Sequence, residues 1–320
     1  NVATGAYALE SNTTGNDNVA TGRGALFGNT TGNYNVATGY GALQFNTTGN
    51  DNVATGREAL LKNTTGDANI AIGTQTLLFN TSGNDNVATG SGALYFNTSG
   101  NDNIATGSGA LQSNTTGNDN IAIGFAALYL NTTGSGNVAI GNSAGVSTDA
   151  LTNATAIGSS AIVNASNKVR IGNAAVTVIE GPVAFTTSDG RFKSELNADV
   201  PGLDFIAKLK PVTYHFNYQK YSRFLGEKNV DQAVLRQKDE QREMGFIAQE
   251  VEKVCRETGN NVANLVYTPQ NEQDNYAIAY GQLVVPLVKA IQEQQAQIEA
   301  LKLQNAQVGA LTRQNQSLQT

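Results

Sequence analysis

The chain has 320 residues, with 20 Lys and Arg against 26 Asp and Glu for a formal net charge of −6. That length allows two or three domains. Neither half carries a basic patch, which argues against a nucleic-acid partner, and no apolar run approaches the ~20 residues of a membrane helix, so no membrane insertion is expected. A single Cys (Cys255) and a single His (His215) exclude an intrachain disulfide and any Cys/His metal site of known spacing; both read as packed side chains, and no cofactor is expected. Charge is unevenly placed: residues 1–187 hold 5 Lys/Arg and 10 Asp/Glu, residues 188–320 hold 15 and 16. No signal peptide is visible, and the chain opens inside a repeat, which reads as a piece of a longer protein.

Residues 1–172 read as a repeat shaft or head, set by a 17-residue ruler as far as Ala154. An Asn-Val/Ile-Ala-Thr/Ile-Gly block begins at Asn1, Asn18, Asn35, Asn52, Asn69, Asn86, Asn103, Asn120 and Asn137, and a worn copy falls in register at Ala154. Such a ruler predicts a stacked β-solenoid, in which each coil sets the same side chains over those of its neighbour. Repeat positions 2–4 read as a strand. Position 8 is mostly Ala, position 9 is Leu in eight successive coils from Leu9 to Leu128, and Asn-Thr-Thr/Ser-Gly then signals a turn. Each coil is expected to run strand, corner, bend, corner. The small Ala positions would let three chains approach closely around an axis, and ten coils would span roughly 50 Å.

Three side-chain series within the ruler are candidate sites. Asn12, Asn29, Asn46, Asn63, Asn80, Asn97, Asn114 and Asn131 match a glycosylation sequon but read as a coil-to-coil amide ladder. Position 17 is Asp at Asp17, Asp51, Asp85, Asp102 and Asp119. Stacked like charges repel, so Asp85, Asp102 and Asp119 are either screened in solvated turns or bridged by Ca²⁺; solvated turns are the favoured reading. Aromatics at positions 10 and 11 (Phe27, Phe45, Phe79, Tyr95, Phe96, Tyr129) either stack on a cell-surface glycan or receptor, or fill gaps in the core or between chains. A polysaccharide-cleaving site would need paired carboxylates in a groove, and Glu10 and Glu58 have no counterparts in other coils.

The ruler fails after Ala154, with a related Lys168–Gly172 block 14 residues later. Residues 173–187 read as a β-rich neck. Residues 188–282 form a domain of different chemistry: a helix over 203–209 ended by Pro211, a strand over 212–218, a polar exposed loop or arm over 222–241, and an amphipathic helix over 245–254 with Ile247, Val251 and Val254 on one face. Residues 283–320 read as a coiled-coil helix with Val284, Ile291, Ile298 and Asn305 at a, and Leu287, Leu301 and Val308 at d. Ile291, Ile298, Leu301, Asn305 and Val308 are the expected oligomerisation residues, and the register shifts beyond Val308.

The Asn-Val/Ile-Ala-Ile-Gly strand resembles the β-roll heads of trimeric autotransporter adhesins, and the wider repeat looks like those of phage tail fibres and bacterial surface fibres. Ser188-Asp-x-Arg-x-Lys193, then Leu209-Lys-Pro-Val-x-Tyr214, Gly245-Phe-Ile-Ala-Gln-Glu-Val251 and Leu283-Val-Val-Pro-Leu-Val-Lys-Ala-Ile291 are similar to the endosialidase-type C-terminal intramolecular chaperone. The resemblance implies a homotrimer whose chaperone cuts itself off, with Ser188 as nucleophile, Lys193 as base, Ser188–Asp189 as the scissile bond, and Asp189 and Arg191 as orienting residues. At most this is a single-turnover Ser-Lys autoprotease. The fold expected is mainly β, a trimeric solenoid followed by an α+β chaperone domain ending in a coiled coil. Its place would be a virion tail fibre or a cell surface, where a bacterial trimeric adhesin would keep its chaperone uncut as a cap.

Overall fold

A computed structural model describes residues 1–179, 188–259 and 265–318. Part of the expected neck, 180–187, lies outside the described residues. The chain forms two compact units: Asn1–Ile179 together with Asn217–Glu240, and the described residues of Glu180–Phe216 and Gln241–Thr320.

The first unit is a β-solenoid. Three-residue strands from Val2–Thr4 to Val169–Ile171 form one parallel sheet of eleven strands. Register follows the ruler, with Val19 over Val36 and Ala20 over Ala37. It survives the break in the ruler, because Thr155 pairs with Val138 on one side and Val169 on the other. Backbone bonds also join the coils outside the strands: Leu26 N donates to Ala42 O (3.0 Å) and Thr30 N to Thr47 O (3.0 Å).

The interior is narrow and filled by the same three positions. Ala20, Ala25 and Leu26, with the Ala and Leu residues at the same positions through Leu128, are buried, while Ala8 and Leu9 of the first coil are half-buried. The Ala side chains therefore close the core of a single chain. They do not form a surface on which three chains could approach, as the sequence alone implied. Strand alternation sends position 3 inward and positions 2 and 4 outward, so Ile72, Ile123 and Ile140 are exposed.

The corners rest on left-handed backbone. Leu26, Leu43 and Leu60 have φ of +51°, +50° and +51°. A left-handed conformation of this kind costs a non-glycine residue about 1–2 kcal/mol, offset here by complete burial of each Leu side chain. Glycine is demanded where coils approach: a Cβ on Gly56, whose φ is +135°, would stand 2.4 Å from Gly73 O.

Two amide ladders run through the stack. Asn80 Nδ2 donates to Asn63 Oδ1 (2.8 Å) and Gly83 O (2.9 Å), and Asn80 Oδ1 accepts from Asn97 Nδ2 (2.8 Å). At position 1, Asn52 Oδ1 accepts from Asn69 N (3.0 Å) while Asn52 Nδ2 reaches Gly66 O (2.8 Å). From Asn29 to Asn131 the sequon asparagines are fully buried and amide-bonded, which bears out the ladder. Asn80→Ala orphans the buried Asn63 Oδ1, so stability should fall by about 2–4 kcal/mol. A urea titration checks this, with the half-buried Asn12→Ala of the terminal coil as the milder control.

The first unit also holds helices α2 (Tyr218–Leu225) and α3 (Gln232–Asp239). The segment read as an exposed polar loop or arm is thus a capped helical pair. Asn217 Oδ1 caps α2 through Lys220 N, Gly226 ends it at φ +70°, and Asp231 caps α3 through Ala233 N. Its apolar residues are few, but Leu225, Val230 and Leu235 are all buried.

In the second unit α1 (Leu203–Lys208) precedes an antiparallel pair of strands, Val212–His215 with Arg242–Gly245. The strand ends earlier than the sequence implied because Asn217 begins the cap of α2. Then come α4 (Ala248–Glu257), a pair of two-residue strands (Val266–Tyr267 with Ala277–Ile278), and α5 (Val284–Leu318). Phe205, Leu209, Val251, Leu265 and Leu283 form the core. Cys255 packs half-buried against it, and burial raises its thiol pKa. His215 lies exposed rather than packed.

Candidate functional site

The site begins at the first described residue after the neck. Ser188 and Asp189 lead into a single turn of 3-10 helix, Gly190–Phe192. The Asp189 carboxylate caps that turn, accepting from Arg191 N at 2.9 Å through Oδ1. Its Oδ2 accepts from Arg191 Nε (2.9 Å) and Nη2 (2.6 Å), a forked ion pair. The Arg191 hydrogen bonds hold the Asp189 carboxyl below the usual carboxylate range, and Asp189 in turn raises the Arg191 guanidinium. The cap should therefore hold at neutral pH and be lost only as pH falls through the lowered Asp189 pKa.

This turn carries the chain back so that Lys193 Nζ donates to Ser188 Oγ at 2.7 Å. Ser and Lys five residues apart meet because the intervening turn is short and closed. The contact sets the Ser188 hydroxyl directly against the Lys193 amine. Both side chains are open to solvent in the single chain, and Arg191 is turned to Asp189.

Other contacts hold this unit together. Glu293 of α5 accepts from Leu203 N at 2.7 Å, holding the start of α1. Tyr280 Oη accepts from Phe246 N at 3.0 Å, and a Cβ on Gly245 would stand 2.3 Å from that same hydroxyl oxygen. This explains the glycine in the Gly-Phe-Ile-Ala-Gln-Glu-Val motif. Tyr267 donates to Asp274 at 2.6 Å, and burial first, then that bond, pushes its phenol up to about 12.

The family comparison falls on this segment. Residues 188–260 match the chaperone of endosialidase. The match opens on Ser188 and takes in Asp189, Arg191 and Lys193, so the expected dyad stands at its first residues. The chain matches no curated protein and no solved structure. The chain thus joins a β-solenoid of 17-residue coils to a segment similar to the chaperone of endosialidase.

The remaining candidate residues lie elsewhere. Asp85, Asp102 and Asp119 are exposed, each with φ of +56°. Asp tolerates this backbone better than most side chains, which accounts for its recurrence at position 17. No group of three His, Cys, Asp or Glu that could hold a metal gathers among the described residues. The aromatics at positions 10 and 11 sit outside the core: Phe79, Tyr95 and Phe96 pack together with ring centroids 4.6–5.7 Å apart, and Phe45, Phe96 and Tyr129 are exposed. On α5, Ile291, Ile298, Leu301, Asn305 and Val308 are all exposed.

Proposed function

We propose that this is a homotrimeric fibre protein whose solenoid forms the shaft or head. Its C-terminal chaperone assembles the trimer and then hydrolyses the Ser188–Asp189 bond. The observation that carries the reading is the 2.7 Å contact of Lys193 Nζ with Ser188 Oγ at the opening of the chaperone match. Lys193 takes the hydroxyl proton, one water is consumed, and the products are a new carboxylate on Ser188 and a new amine on Asp189. A lysine accepts a proton only as the neutral amine, which desolvation favours. The second unit leaves Phe192, Leu196 and Met244 mostly exposed, as it does Ile291, Ile298, Leu301 and Val308 of α5, and such surface argues for partner chains. Covering it on assembly would dry the dyad, so cutting would follow correct trimerisation.

The test is the intact mass of the expressed chain together with native mass. A trimer with two fragments meeting at Ser188 is expected; an uncut monomer would sink the reading. An uncut trimer would favour a bacterial surface adhesin with a permanent cap. The packing of 217–240 within the solenoid unit supports that second reading, because it ties part of the chaperone sequence to the shaft.

Attachment to a cell-surface glycan would use the shaft. An open groove of about 530 Å³ is lined by Gln75, Tyr95, Ser108, Gln112, Phe125 and Tyr129. These aromatic faces and neutral amides, with no charge among them, suit an uncharged sugar. On a glycan array the Phe125→Ala/Tyr129→Ala trimer is expected to lose about tenfold or more in affinity relative to the parent. Equal binding by both would remove this groove from consideration.

A further inference from the structure

We infer that the 217–240 helical pair is a latch that keeps the chaperone on the shaft after the Ser188–Asp189 bond is cut. The inference rests on the proposed cut, but its structural basis is separate. By sequence the pair is an insertion between the two strands of the chaperone hairpin, Val212–His215 and Arg242–Gly245. By packing it belongs to the last coils of the solenoid.

The end of the stack is built to receive it. In every earlier coil of the sheet the inward position is Ala, and in the last it is Arg170, directly over Ala156. A guanidinium on an inward rung needs an anion where the next coil would have been. Glu227 supplies it: its side chain is fully buried, and its Oε1 accepts from Arg170 Nη2 at 2.8 Å. The same carboxylate accepts from Ala174 N at 3.1 and 3.2 Å. Arg170 also lies over the Tyr221 ring, 5.6 Å from its centroid. Lys238 Nζ donates to Ala174 O (2.8 Å) and Val176 O (3.0 Å), and Ser160 Oγ donates to Lys228 O. Beneath these contacts Ala174, Val230 and Leu235 share one buried cluster.

Every shaft partner in this set precedes Ser188, and every latch partner follows it. Cutting therefore divides one folded core between two polypeptides without removing any of its contacts. The covalent link had given the two sides a high effective concentration. Once it is gone, retention depends on the buried cluster and on a charge pair whose breakage leaves the other charge unpaired in the interior. Scission and release are thus separate events.

The test supplies the cut independently of the dyad. A site-specific protease sequence is placed before Asp189 in a full-length Ser188→Ala chain, and co-elution of the two fragments is followed by gel filtration and native mass. The fragments are expected to co-elute after cutting. Arg170→Met, which strands the Glu227 charge, and Leu235→Asp should each shorten the half-life of co-elution at least tenfold. Adding Glu227→Gln to Arg170→Met should restore it, since the amide oxygen still accepts from Ala174 N, and this pair keeps the test decisive where the single variant folds poorly. Fragments that part at once with Arg170, Glu227 and Leu235 intact would overturn the latch, as would undiminished co-elution in both Arg170→Met and Leu235→Asp. A parent chain that leaves Ser188–Asp189 uncut would count against the autocleavage reading alone.

Discussion

Ser188→Ala is expected to yield one species of full mass where the parent, on the proposed autocleavage, should yield two fragments meeting at Ser188. The effect should be complete, because removing Oγ removes the proposed nucleophile, the group that Lys193 Nζ contacts. The fold should not change: Ser188 is exposed, and its side chain closes no core. Lys193→Met should be equally uncut, whereas Lys193→Arg should be uncut although positively charged, since a guanidinium does not give up its proton. That pair separates a base from a mere cation. Asp189→Asn should slow cutting without abolishing it. It keeps an oxygen for Arg191 N but loses the charge that holds the Arg191 fork at 2.6 and 2.9 Å. Intact mass against time reads all four variants.

The solenoid was legible because its causes repeat. A strand register that recurs every 17 residues is visible as a ruler, and the invariant asparagines announce a ladder whose partners are their own copies. What faced inward was less legible. Ala at positions 3 and 8 fits a tight coil interior and a close contact between chains equally well, and only the turn geometry decides. That geometry depends on leucines such as Leu26 adopting positive φ, which no propensity scale leads one to expect.

The helical pair was missed because its charged residues outnumber its apolar ones. Its buried set (Leu225, Val230 and Leu235) is spaced five apart across a turn rather than along one helical face. The caps Asn217, Gly226 and Asp231 were the available signal, and so was Arg170 on a rung that elsewhere holds Ala. The dyad is the opposite case: similarity of motif named Ser188 and Lys193, but spacing could not establish that the Gly190–Phe192 turn brings them together.

Ile291→Asp combined with Ile298→Asp is expected to convert the proposed trimer to monomer and, with it, to stop the proposed cutting at Ser188. Within a single chain, α5 buries only a small part of its surface: Ala290 is buried and Glu293 holds α1, while Val284, Leu287, Ile291, Ile298, Leu301 and Val308 stand exposed along the a and d positions. Burying each such side chain between chains stabilises association by about 1.5–3 kcal/mol. Two layers of three converging carboxylates would replace that gain with repulsion in a dry seam. The substitutions lie away from the core formed by Phe205, Leu209, Val251, Leu265 and Leu283, so each chain should still fold. Native mass reads the oligomer and intact mass reads the cut, on the same sample. Loss of both together means that the dyad, solvent-exposed in the single chain, acts only once neighbouring chains have covered it. A monomer that still cuts would place the activating environment within one chain, and a persistent trimer would move the assembly surface off this seam. The proposed coupling has a functional logic: a shaft of repeated coils contains no internal record of completed assembly, whereas a base that works only when buried between chains would supply one.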